Sequence, residues 1–151
     1  MVSQTRFEET LDYAIDKEQE AVDFYTDLAK KVPSPAMKAV FTQFAGEERG
    51  HKAKLQGVKA GRGTLAPAGK IPNLALADYL VAEEAGPDIS YPDALILAMK
   101  REKASFRLYT DLAKEVPAGD IRDLLLSLAQ EEAKHKLRFE VEYDQQILKD
   151  N

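Results

Sequence analysis

The chain has 151 residues, 44% of them apolar and 31% charged, with 8 Gly and 7 Pro, a composition that predicts one folded globular domain over 1–151. Its 21 basic and 26 acidic residues give a formal charge of −5, which argues against nucleic acid or an anionic membrane as partner. Cysteine is absent, so disulfides, thiol catalysis, Cys-ligated zinc, iron–sulfur clusters and a rubredoxin-type iron site are excluded from this chain, and any metal must be held by oxygen and nitrogen. The opening MVSQTRFEETLDYAIDKEQE has no apolar run of signal-peptide length, and no segment reaches the roughly 18 apolar residues of a membrane helix. A cytoplasmic location is the expectation.

Prolines at 33, 35, 67, 72, 87, 92 and 117 leave four long proline-free blocks, 1–32, 36–66, 93–116 and 118–151, which predict four helices. In each, apolar residues recur at steps of three and four, the period of one buried helical stripe. The first block carries Phe7, Leu11, Ala14, Ala21, Tyr25, Leu28 and Val32, and the second Met37, Phe41, Phe44, Leu55 and Val58. The third carries Leu95, Ala98, Ser105, Tyr109, Leu112 and Val116, and the fourth Ile121, Leu125, Leu128 and Phe139. Six stripe positions hold an acid or a histidine: Glu18, Glu48, His51, Glu102, Glu132 and His135, which include both histidines of the protein.

Shifting the chain by 84 residues lays YTDLAKKVP (25–33) on YTDLAKEVP (109–117) and EERGHK (47–52) on EEAKHK (131–136). Over 11–56 against 95–140, 16 of 46 positions are identical without a gap. The same shift carries Glu18 to Glu102, Glu48 to Glu132 and His51 to His135. The chain is therefore two copies of one helical hairpin, at about 4–59 and 91–148, expected to pack face to face as an all-α four-helix bundle. Glu18 and Glu48 lie 15 residues either side of Pro33, and Glu102 and Glu132 lie 15 either side of Pro117, so the four carboxylates fall about 22 Å from their turns. The histidines follow their glutamates at i+3 on the same face. The connection, about 60–90, is long enough to run the length of the bundle and start the third helix parallel to the second; its LALADYLVAEEAG reads as a short helix, with Glu83 and Glu84 solvated.

Four buried, ionised carboxylates without partners would each cost several kcal/mol, so cations must neutralise them. Carboxylate and imidazole donors suit iron or manganese, with zinc or cobalt also able to bind. One Glu from each of two helices and a Glu-x-x-His from each of the other two is the ligand pattern of ferritin-like di-iron and di-manganese bundles. Over about 5–145, through AIDKEQEAVDFYTDLA, FAGEERGHK, AMKREKASFRLYTDLA and LAQEEAKHK, the chain resembles the rubrerythrins, in the form that has the ferritin-like domain without a rubredoxin domain.

The resemblance implies two iron ions held by Glu18, Glu102, Glu48 with His51, and Glu132 with His135, with one Glu from each pair type bridging them. It implies that Tyr25 and Tyr109, two turns beyond Glu18 and Glu102, support the site as hydrogen-bond donors. Ser105 stands where rubrerythrins proper carry a further glutamate. The activity implied is reduction of hydrogen peroxide or dioxygen with electrons from an external donor protein, in a homodimer. The alternatives are ferroxidase or iron-handling work, and a non-enzymatic metal-stabilised structural or sensory module. Glu47 and Glu131, beside the stripe, read as solvated; Lys52, Lys54, Lys100 and Lys136 read as charged exterior, and Gly46 and Gly50 as marks of a close approach by another helix or subunit. The GRG at 61–63 reads as linker and not as a phosphate loop.

Overall fold

A computed structural model describes residues 2–32, 34–61 and 89–150, with side chains described over 7–32, 34–61 and 89–146. Among the described residues there are four helices and no strand: α1 (Val2–Lys31), α2 (Pro35–Ala60), α3 (Tyr91–Glu115) and α4 (Asp120–Asp150). Both α2 and α3 begin earlier than the proline-free blocks suggest, because Pro35 and Pro92 lie in their first turns, where a missing N–H costs nothing. Ser34 and Ser90 precede those prolines and cap the helices, their hydroxyls accepting from the amides of Met37 at 3.3 Å and Asp93 at 3.2 Å. The C-terminal end of α3 is closed from outside: Arg122 of α4 donates from Nε to the Ala113 carbonyl at 3.0 Å and from its guanidinium to the Val116 carbonyl.

Backbone approaches are dense within each hairpin, α1 with α2 and α3 with α4, and sparse between α1 and α3 and between α2 and α4. The apolar core forms two bodies. One gathers Phe7, Leu11 and Ala14 of early α1, Leu55 and Val58 of late α2, Leu108 to Ala113 of late α3 and Leu125 to Ala129 of early α4. The other gathers late α1, early α2, early α3 and Phe139 of late α4. Helices α1 and α4 therefore run parallel, α2 and α3 run against them, and the two hairpin turns lie at opposite ends of the bundle. Gly61 follows α2 at one end and Ile89 precedes α3 at the other, as a lengthwise connection requires. The LALADYLVAEEAG segment, Glu83, Glu84 and Arg62–Gly63 of the linker lie outside the described residues.

Gly46 and Gly50 mark no close approach by a described helix: a Cβ built at either meets nothing within 4 Å among the described residues, and both glycines are exposed. No helix among the described residues is long and apolar enough to cross a membrane.

Candidate metal centre

Between the two apolar bodies lies a polar layer. All six acid and histidine stripe residues fall in it and all are buried: Glu18, Glu48 and Glu132 at 0% exposure, Glu102 and His135 at 2%, His51 at 4%. Each helix supplies its part because the stripe that buries leucine and phenylalanine above and below also passes through these positions. The protein offers most of their inward atoms nothing to bond: both carboxylate oxygens of Glu18, Glu48 and Glu132, Oε2 of Glu102 and Nδ1 of both histidines are buried without a hydrogen-bond partner. Such a set of donors and acceptors, gathered in one layer, could hold metal ions.

The spacing fits such ions. His51 Nδ1 lies 3.0 Å from Glu18 Oε2, 3.1 Å from Glu48 Oε1 and 2.9 Å from Glu132 Oε1, at angles that make no hydrogen bond. Donors about 2.0–2.2 Å from one ion at right angles to each other stand roughly 3 Å apart, so the separations match edges of a coordination polyhedron. Two sets of four residues each bring one ligand atom within 4.8 Å of the others: Glu18, Glu48, His51 and Glu132, and Glu48, Glu102, Glu132 and His135. Glu48 and Glu132, the glutamates of the two Glu-x-x-His pairs, belong to both sets; Glu18 and Glu102 each belong to one. The second set is looser, with His135 Nδ1 at 3.5 Å from Glu48 and 3.6 Å from Glu102.

Charge in the layer is balanced by protons when no cation is bound. Burial above all, then the Glu48 charge, pushes Glu18 up to about 8 and holds Glu102 above its ordinary value. Burial and the Glu102 charge push Glu132 well up. Burial also raises Glu48, but His51, Glu132 and His135 close beside it outweigh burial and bring that carboxyl below its ordinary value. For the histidines burial works downward and loses to the carboxylates: Glu18 and Glu48 bring His51 to about 10, and Glu102 with Glu48 brings His135 to about 9. Cations would displace these protons.

The tyrosines cross between hairpins. Tyr25 of α1 donates its hydroxyl to Glu102 Oε1 on α3, leaving Oε2 facing the layer. Tyr109 of α3 faces Glu18 of α1; burial first, then the Glu18 charge, keeps its hydroxyl protonated, as burial and Glu102 do for Tyr25. Ser105, one turn past Glu102, is half-buried.

Two residues escaped the sequence reading. Glu47, expected to be solvated, is 31% exposed and turns Oε1 to within 3.4 Å of His135 Nε2, because its position beside the α2 stripe overlooks the ring on α4. Glu142 is buried at the far end of α4, accepting from the Tyr91 hydroxyl at 2.8 Å. It stands three residues past Phe139, so extending the fourth stripe by one step would have found it. Glu131 behaves as expected, partly exposed with Lys134 at 3.8 Å.

Comparison with known proteins agrees with this geometry. The rubrerythrin family model matches residues 9–143. A solved structure of a hypothetical protein from Pyrococcus furiosus is 29% identical, with a TM-score of 0.72 over 91% of this chain and 87% of that one. No curated protein matches. With the family match spanning nearly the whole described bundle and a buried carboxylate and histidine layer compatible with a di-iron site, the chain belongs to the rubrerythrin family.

Proposed function

We propose that the chain holds two iron ions between Glu18, Glu48, His51, Glu102, Glu132 and His135, and reduces hydrogen peroxide to water with electrons from an external donor protein. The reading is carried by one observation: buried donor atoms without partners converge in two sets that share Glu48 and Glu132. Manganese or zinc could take the same donors. A ferrous pair would supply the two electrons that, with two protons, turn one hydrogen peroxide into two waters.

The chain's own residues do the rest. Glu48 and Glu132, which belong to both sets, would be shared between the ions, and the Glu18/His51 and Glu102/His135 pairs would complete the two ends. Tyr25 fixes one oxygen of Glu102, so that only the other can turn to the metal. The apolar bodies on either side keep the layer dry, which strengthens every charge interaction in it. These 151 residues hold no cysteine and so no thiolate-ligated iron centre, and the electrons would have to reach the bundle from outside it.

Stopped-flow mixing of the anaerobic di-ferrous protein with peroxide is expected to oxidise the site faster than mixing with dioxygen. An equal or slower reaction with peroxide contradicts the reading. Iron consumption beyond two ions per chain would assign it to iron handling, and redox-inert metal whose removal only lowers the melting temperature would make the site structural. Pairing of two copies in solution, implied by the family resemblance, is read by sedimentation velocity on the loaded protein.

A further inference from the structure

The two histidines, equivalent by the repeat, differ in what surrounds their rings. Both turn Nδ1 toward the carboxylates. The outer nitrogen of His135 faces Glu47 Oε1 at 3.4 Å, across from α2 to α4. Phe44 stacks on the His135 ring at 4.0 Å between centroids and 22° between planes, and Tyr25 meets it edge-on at 6.5 Å. The repeat carries Glu47 to Glu131, which pairs with Lys134 at 3.8 Å, and carries Phe44 to Leu128, which has no ring. The duplication that made the ligand sets alike has left their supports unlike.

A carboxylate beside Nε2 accepts a hydrogen bond from that nitrogen, which places the ring's proton there and leaves the Nδ1 lone pair for the inner side. We infer that Glu47 is a positioning residue for His135: it fixes the tautomer and plane of that imidazole, with Phe44 holding the face, and so makes the two metal positions inequivalent. The inference rests on the dinuclear reading above. It assigns Glu47 a role toward one ion of the pair and assigns none to Glu131. Metal-bound histidines commonly depend on such an outer acceptor, and its loss typically costs 10–100-fold in affinity.

The test uses zinc, which is diamagnetic, on the full chain as wild type, E47A, E47Q and E131Q, with helicity checked by circular dichroism. Zinc titration of the wild type is expected to show two ions per chain. E47A is expected to weaken one of the two by 10–100-fold, E47Q by less, and E131Q neither. Long-range 1H–15N spectra of the imidazoles report the bond itself: the wild type is expected to show a downfield, slowly exchanging Nε2 proton on His135 that moves upfield in E47Q and E47A and stays in E131Q. A wild type that binds no pair of ions overturns the dinuclear reading and this inference with it. Two zinc ions whose affinities and ring signals ignore E47A, or respond equally to E131Q, overturn this inference alone.

Discussion

Glu102 is divided between two tasks: Oε1 accepts from Tyr25 and Oε2 is left to the polar layer. Removing the whole carboxylate by Glu102→Ala takes away one of the four ligands in its set, so the variant is expected to retain at most one ion per chain in elemental analysis; two retained ions would refute the ligand assignment. Tyr25→Phe removes only the donor. That variant should still bind two ions, with affinity or oxidation rate down by about 10–100-fold, measured by metal titration and stopped-flow absorbance. At this scale the sequence was most informative where an acid or histidine interrupted an apolar stripe, since the stripe itself says the position is buried. It misplaced Glu47 among the solvated acids, because that position borders the stripe and its orientation depends on His135 of a different helix, 88 residues away.

At the level of the helix, the periodicity and the prolines were enough to place α1 to α4, and the 84-residue repeat paired them. The starts of α2 and α3 were misplaced by one or two residues, because Pro35 and Pro92 separate nothing: with Ser34 and Ser90 they open their helices. Ser90→Ala is expected to cost about 1 kcal/mol, seen as a lower urea midpoint at unchanged slope. Gly46→Ala should act in the opposite direction by a similar amount, since the new methyl meets no neighbour among the described residues and the helix gains propensity. The same substitution at Gly119, in the turn before α4, should destabilise, because that residue has a φ of +149° that a side chain strains.

Seen whole, the molecule is two apolar bodies separated by a layer that stores charge, and its stability should depend on what neutralises that layer. In the metal-free protein Glu18 titrates at about 8 against an ordinary 4.5, His51 at about 10 and His135 at about 9 against 6.5. All three are raised, so the folded chain binds more protons than the unfolded chain from about pH 5 to pH 10, and stability must fall as pH rises through that window. Thermal melts of the metal-free protein are expected to show a falling midpoint from pH 5 to pH 9. The loaded protein should show the reverse over the lower part of that range, where protons compete with metal for the same atoms.

Anomalous diffraction from crystals of the loaded protein, recorded at the iron and manganese edges, tests the two-ion centre most directly. Two peaks per chain in the layer flanked by Glu48 and Glu132, one on the side of Glu18 and His51 and the other on the side of Glu102 and His135, are the predicted result. A single peak, no peak, or peaks outside that layer would contradict it.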